Sequence, residues 1–262
     1  MCKMFTYAGR VRSLGVDERV TFHEFMTDLF NSTQYDSQDQ DAAGFYSYNG
    51  DRCHYDRSAG DNRHLTRTSK AWSRMKYRPC LMYLCHARGA MSDASNPNNN
   101  HPFVGENVAL MHEGWISNHR QHAKKRGLSL TTETDSEFYM RLADQRRPPL
   151  GDREVWDQVA CMQHMLHITE EPTAIAFMDH SSENPQLWFG KNDSEGNHEF
   201  AFYRIRAFKG IVMVSTEAMM KIAGALTFDE PEKEIETITT DVKPFAVYNI
   251  DPLHDALTVY EP

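Results

Sequence analysis

The sequence predicts an α+β fold in which two antiparallel sheets stack between outer layers of helices. Helical and strand-like segments alternate through the first half of the 262-residue chain, whereas short strands follow one another in the second half. Successive strands pair as antiparallel neighbours, and their apolar faces need cover from another sheet or from helices. No internal repeat or low-complexity linker divides the chain, so we expect one domain over residues 1–262.

The first elements have clear local signals. A strand is expected at 3–8, and an amphipathic helix at 21–30, with Thr21 in position to cap it. A second strand at 43–48 ends at the Asn-Gly pair 49–50, which favours a hairpin turn. The remaining elements are expected as helices at 65–77, 134–144, 152–167 and 217–225, and as strands at 80–86, 107–112, 173–178, 186–189, 199–207, 211–215, 245–250 and 256–260.

Composition excludes several function classes. The formal net charge of -9 argues against nucleic acid or an anionic membrane surface as the main partner, because both require a concentrated basic patch. No apolar run is long enough to span a membrane, and the N-terminus lacks the pattern of a signal peptide. The five cysteines are odd in number and irregularly spaced, which favours reduced thiols. We therefore expect a cytoplasmic protein.

A metal site is a weak alternative. Cys161, His164 and His167 recur at every third residue of an expected helix, but that spacing drifts around the helix and no carboxylate completes the set. We expect no metal and no other cofactor. A metal-dependent hydrolase that uses the histidine-rich segments stays open as a minor hypothesis.

Cys2 is the strongest candidate for chemistry. Removal of Met1 would make it the N-terminal residue, with a thiol and a free α-amine on the same residue. An α-amine has an ordinary pKa of about 7.7–8.0 and can act as the base for its own thiol. Nucleophile and base would then reside together on a strand that holds them rigidly.

Four motifs follow Cys2 in order. They are His-Ala-Arg-Gly-Ala at 86–90, Asn-His-Pro-Phe at 100–103, His-Glu-Gly-Trp-Ile-Ser-Asn at 112–118 and Thr-Asp-Ser-Glu at 134–137. With Met1-Cys2 they resemble the class II glutamine amidotransferase family of N-terminal-nucleophile hydrolases, and its small freestanding members in particular. Weaker similarities are a glycine-containing strand at 41–45 and a strand followed by a Ser-Glu turn at 214–217.

The resemblance implies an αββα sandwich that hydrolyses the side-chain amide of glutamine, or a γ-glutamyl compound, and releases ammonia. It makes Cys2 the nucleophile that forms a thioester, and it places the backbone N–H of Gly114 at the oxyanion. Arg88 suits the substrate α-carboxylate because its guanidinium is a planar fork, and Asp135 suits the α-ammonium. His101 is assigned to the substrate pocket, since the α-amine already supplies a base.

The resemblance also implies partners. A separate synthase subunit that accepts the ammonia is expected for a freestanding amidotransferase, and neither nucleic acid nor a membrane is expected.

Glu113 departs from the family pattern, which has an asparagine at this position. The asparagine amide donates a hydrogen bond to the oxyanion, and an ionised carboxylate cannot. A protonated Glu113, its pKa raised by burial, can donate, which would make activity depend on pH. The alternative hypothesis is a catalytically impaired member that binds an amino acid or a partner protein.

Overall fold

The computed structural model describes residues 2–33, 41–78, 80–89, 96–145, 158–180, 185–193 and 199–262. The strands of this part are β1 (Lys3–Gly9), β2 (Ala42–Tyr48), β3 (Cys53–Ser58), β4 (Met82–Arg88), β5 (Phe103–Val104), β6 (Val108–Gly114), β7 (Thr173–Asp179), β8 (Gln186–Lys191), β9 (Ala201–Ile205), β10 (Gly210–Val214), β11 (Ile235–Thr239), β12 (Val247–Asp251) and β13 (Ala256–Tyr260). Its helices are α1 (Val16–Ser32), α2 (Asn62–Thr68), α3 (Lys70–Met75), α4 (His119–Lys125), α5 (Asp135–Asp144), α6 (Gln158–His167), α7 (Glu217–Thr227) and α8 (Pro231–Glu234).

The strands form two sheets with antiparallel neighbours. In the described residues the first sheet has the order β11-β9-β10-β1-β4-β2-β3, and the second has the order β13-β12-β8-β7-β6-β5. Strand β1 lies inside the first sheet, between β10 and β4. The start of the chain is therefore fixed on both sides by backbone pairing.

The two sheets pack face to face because side chains alternate along each strand. In β1, Met4 and Ala8 enter the core between the sheets, whereas Phe5 and Tyr7 point to the outer face. The second sheet contributes to the same inner core Ala109, Met111, Ala174, Ala176, Met178, Leu187 and Phe189. This core is the central layer of the sandwich.

Helices cover both outer faces. On the first sheet, Phe22, Phe25 and Leu29 of α1 pack beside Met220 of α7 in one apolar cluster. On the second sheet, helices α4, α5 and α6 supply Ala123, Phe138, Tyr139, Met140, Ala143, Cys161, Met162, Met165 and Leu166. The predicted α+β fold, with two stacked antiparallel sheets in an αββα sandwich, is confirmed.

Three local expectations differ from the structure. Helix α1 begins at Val16 because Gly15 caps it, with Oε2 of Glu18 accepting the Gly15 N–H at 2.6 Å. Thr21 therefore lies inside the helix, and its hydroxyl donates to the Asp17 carbonyl. The helix expected at 65–77 is two helices, since Ser69 ends α2 and its side chain caps α3.

Two further segments differ in extent from the expected elements. The segment of α8 and β11 had no expected element, although β11 pairs with β9 at the edge of the first sheet. The helix expected at 152–167 is present from Gln158, and residues 152–157 lie outside the described part of the chain.

Gly44 of β2 allows a loop to approach the first sheet. A Cβ built on Gly44 would collide with the carbonyl oxygen of His101 and would lie 3.0 Å from Cγ of Arg57. We expect Gly44→Ala to lower the free energy of unfolding by about 3 kcal/mol, because the obstructing atom belongs to backbone that cannot rotate away. Denaturant unfolding of the full chain measures this change.

Gly60→Ala is the matched control. Its added Cβ would meet only ordinary contacts at 3.4 Å or more, so we expect a change within about 0.5 kcal/mol. Equal losses in the two variants would contradict the close-approach role of Gly44.

Candidate active site

Cys2 lies directly before β1, at one end of the sandwich. The register pairs Lys3 with Ala87 of β4, and the Cys2 Sγ lies 3.7 Å from the carbonyl oxygen of Gly89, just beyond β4. The thiol thus lies beside the segment that follows Arg88. Cys2 and the motif at 86–90 therefore meet here.

Ser215 fastens the strand that carries Cys2. Its Oγ accepts the backbone N–H of Met4 at 3.1 Å, and its own N–H donates to the Met4 carbonyl at 3.0 Å. Ser215 belongs to the late motif at 214–217, to which the sequence assigned no role. Its position directly after an apolar strand marks Ser215 as a residue of interest in the sequence. Only the fold shows that Ser215 holds β1 in place.

Gly114 ends β6 in a conformation that other residues rarely adopt. Its φ is +136°, and an added Cβ would collide with the Pro172 carbonyl and lie 2.8 Å from Oγ1 of Thr173. Glycine is therefore required for this end of β6 to pair with β7. Glu113 precedes it in the same strand, opposite Ala174.

Glu113 and Cys2 influence each other electrostatically. Glu113 is 5% exposed, and burial raises its pKa to about 8, although the nearby Lys3 ammonium opposes the shift. Burial and the carboxyl group of Glu113 raise the pKa of the Cys2 thiol to about 11, against the opposing charge of Arg88. At pH 7 both groups are therefore mainly neutral, and a protonated Glu113 can donate a hydrogen bond.

Arg88 holds the loop that contains the second motif. The side chain is buried, and its Nη1 donates to the Asn99 carbonyl and, at 3.1 Å, to Oδ1 of Asn100. The Oγ1 of Thr134 donates to the same Asn99 carbonyl at 3.5 Å. The family resemblance predicts that Arg88 binds a substrate carboxylate. It does not predict this contact with the loop.

Asp135 fastens the turn that follows Gly114. It is the first residue of α5, and its Oδ2 accepts the backbone N–H of Ile116 at 2.7 Å. Ser136 donates to its other oxygen over a longer 3.4 Å. The third and fourth motifs of the sequence are therefore joined by a direct hydrogen bond.

Three buried histidines lie behind these residues. The ring centroids of His101 and His86 are 4.2 Å apart. Burial lowers the pKa of His86 to about 3 and holds that of His101 well below its ordinary value. His112 lies between the hydroxyl groups of Ser136, at 3.1 Å, and Thr173, at 2.7 Å.

The metal hypothesis gains no support from the described residues. Cys161 is buried in the core of the second sheet, whereas His164 and His167 are exposed on the other side of α6. Among the residues with a described position, no group of three or more His, Cys, Asp or Glu side chains could hold a metal ion.

No helix in the described part of the chain combines the length and apolar character needed to cross a bilayer.

The raised pKa of Glu113 makes stability depend on pH. Between the ordinary value of 4.5 and about 8, the folded state binds this proton more tightly than the unfolded state, so stability falls as the pH rises. We therefore compare the free energy of unfolding of Glu113→Gln with that of the parent. Relative to the parent, the variant should become more stable by on the order of 3 kcal/mol from pH 5 to pH 8.5. Denaturant unfolding at the two pH values measures the difference.

Glu133→Gln serves as the control, because the side chain of Glu133 is 79% exposed and should leave the pH dependence unchanged. A constant difference between Glu113→Gln and the parent at both pH values would contradict a buried, protonated Glu113.

Part of the sequence is similar to a known protein. A 95-residue segment is 33% identical to glutamine–fructose-6-phosphate aminotransferase [isomerizing] of Agrobacterium fabrum, which is 35% of this chain and 15% of that protein. No family model matches the sequence.

Solved structures give a longer match. The chain resembles a glutamine phosphoribosylpyrophosphate amidotransferase from B. subtilis with a TM-score of 0.67, and a structure described as the allosteric regulatory enzyme of purine biosynthesis with a TM-score of 0.68. Each match has 14% sequence identity and covers 99% of this chain and 49% of the other, so the chain spans about half the length of those proteins. The resemblance to class II glutamine amidotransferases is therefore confirmed at the level of the fold.

Proposed function

We propose that this protein is a Cys2-dependent amidohydrolase that cleaves the side-chain amide of glutamine, or of a γ-glutamyl compound, and releases ammonia. One observation carries the proposal: the Cys2 thiol lies close enough to Glu113 for the two groups to interact electrostatically, in a sandwich whose fold is shared with an amidotransferase. Cys2 precedes β1 and Glu113 lies on β6, so the fold brings together two residues that are distant in the sequence.

The first step needs a base. Because the pKa of the Cys2 thiol is raised to about 11, few molecules carry the reactive thiolate at neutral pH. The α-amine of Cys2, freed by removal of Met1, would take the thiol proton while Sγ attacks the amide carbonyl carbon. Met1 lies outside the described residues, so its removal is part of the proposal.

The later steps use the same groups. The tetrahedral intermediate collapses when the amine returns its proton to the leaving nitrogen, which releases ammonia and leaves a thioester on Cys2. Water then attacks the thioester carbonyl, and the carboxylic acid product departs as the thiol is restored. No cofactor takes part in this sequence.

Glu113 and Gly114 would bind the oxyanion. The backbone N–H of Gly114 supplies one donor, and the protonated carboxyl of Glu113 takes the place of an asparagine amide. Once Glu113 ionises, its charge would repel both the oxyanion and the attacking sulfur. Activity should therefore be confined to pH values below about 8.

Arg88 and Asp135 would hold the amino-acid end of the substrate. The guanidinium of Arg88 is a planar fork of N–H donors, which is the geometry that binds a carboxylate bidentately. Asp135 uses Oδ2 on Ile116, and its Oδ1 can accept the α-ammonium. We place His101 beside them as a neutral wall of the pocket.

A separate synthase subunit is the proposed acceptor of the ammonia. Both the named aminotransferase and the named amidotransferase are at least twice as long as the matched region, which leaves room in them for other domains.

A second candidate is a catalytically impaired member that binds an amino acid or a partner protein. The observation that favours it is Glu113 at the position of an oxyanion donor. Binding of glutamine without release of glutamate at any pH would select this candidate.

Intact mass measures processing and nucleophile activation together. We expect the purified protein to lack Met1 and to gain a single adduct from a diazo-ketone analogue of glutamine, because the analogue alkylates an activated nucleophile in a formed pocket. Cys2→Ala should gain none.

Cys53→Ala is the matched control, since Cys53 is an exposed thiol that would react only non-specifically. It should keep the adduct. Retention of Met1, or an adduct that persists in Cys2→Ala, would contradict the proposed mechanism.

The pH profile of glutamine hydrolysis tests Glu113 directly. We expect kcat/KM of the parent to fall above pH 8, as Glu113 ionises, whereas Glu113→Gln stays level because its amide donates at every pH. At pH 9 the variant should exceed the parent by about 10-fold or more.

Glu133→Gln should reproduce the parent profile. If Glu113→Gln shows the same decline above pH 8, then another group causes that decline and Glu113 does not act on the oxyanion.

A further inference from the structure

A cavity of about 410 Å³ lies beside the 96–101 loop, which contributes Asn98 to its lining. It is lined by Tyr55, Arg57, Asn98, Phe103, Val104, Thr131, Thr132, Glu137, Met140 and Arg141. Its volume falls within the range of small-molecule sites, and none of these residues has a role in the amide chemistry. Two arginines and one glutamate are its charged lining groups.

The glutamate of this cavity, Glu137, already accepts hydrogen bonds from neighbouring residues. The Oε2 of Glu137 accepts hydrogen bonds from the N–H groups of Thr131, at 2.8 Å, and Thr132, at 2.7 Å. Its Oε1 accepts hydrogen bonds from the Thr131 hydroxyl and the Arg141 guanidinium. Burial would raise the pKa of Glu137, but these hydrogen bonds lower it. Glu137 therefore stays ionised, and it neutralises Arg141 alone.

Arg57 leaves an excess positive charge in the cavity. Within the described part of the chain its guanidinium has no carboxylate partner, and its Nη1 donates to the Asn100 carbonyl at 3.2 Å. Half-burial lowers its pKa, which is a sign that water solvates the cation incompletely. A cation in this state is stabilised by an anionic ligand.

The side chain of Arg57 is also held in place. Its Cγ packs over Gly44, where any larger residue would displace it, and the Asn100 contact fixes its far end. A guanidinium positioned in advance loses less side-chain entropy when it binds a ligand. The half-exposed ring of Tyr55 offers an apolar face at the same cavity.

We propose that this cavity binds a small molecule through a carboxylate or phosphate group, with the guanidinium groups of Arg57 and Arg141 as its donors. Planar bidentate donors match both oxyanions. The cavity shares no lining residue with the proposed amidase site, but Arg57 of the cavity and Arg88 of that site both bind the 96–101 loop.

Calorimetric titration of the full chain tests the proposal. Inorganic phosphate is one probe, and benzoate is the other because it carries a carboxylate without resembling glutamine. Both are titrated at constant ionic strength in chloride buffer. We expect saturable binding of at least one probe, weakened at least 10-fold in Arg57→Gln, and the tighter probe identifies the recognised group.

Arg67→Gln is the charge-matched control, since Arg67 is exposed on α2 and should bind like the parent. Cys2→Ala should also bind like the parent, which separates this site from the amidase site. Thermal melting checks that each variant folds. If Arg57→Gln does not fold, Arg57→Lys should weaken binding about 3- to 10-fold, because it keeps the charge but loses the fork. Absence of saturation with both probes, or equal affinity in the parent and the Arg57 variant, would overturn the proposal.

Discussion

The pairing of β1 with strands on both of its sides is the constraint on which the candidate active site depends. Residues at the start of a chain normally fray, because few contacts oppose their conformational entropy. Here β10 and β4 bind the strand along its length, and Ser215 adds a side-chain contact at Met4. Cys2 is thereby held beside Gly89 and close to Glu113, although it lies at the very beginning of the sequence.

Burial at this end of the sandwich decides the charge state of the site. Glu113 lies on an inner face of the second sheet, where an ionised carboxylate is poorly solvated, so the neutral acid is favoured. The same desolvation keeps the Cys2 thiol protonated, so the proposed mechanism needs a base. In that mechanism a glutamate can take the place of an amide donor over a limited range of pH.

The 96–101 loop connects the two polar regions of the molecule. Arg88 and Thr134 donate to its Asn99 carbonyl, while Arg57, which lines the cavity, donates to the Asn100 carbonyl. Gly44 lets the loop lie directly on the first sheet. One loop therefore shapes both regions, and its position depends on residues from β2, β3 and β4 and on the residue that precedes α5.

The sequence by itself determined most of the secondary structure and the α+β class. Strand alternation and the Asn-Gly turn act over a few residues, so local patterns are enough to predict them. Even the early start of α1 has a local signal, because Glu18 follows Gly15 at the spacing of a capping box. The ordered motifs predicted the fold through their resemblance to a family.

Only the tertiary structure decided how these residues are used. It joined Asp135 to Ile116, gave Ser215 its place beside β1, and left Arg57 without a carboxylate in the described part of the chain. It also set the pKa of Glu113, since that value depends on burial and on Lys3, which is 110 positions away in the sequence numbering. Contacts and desolvation between distant segments exist only after the chain has folded, and local sequence patterns carry no record of them.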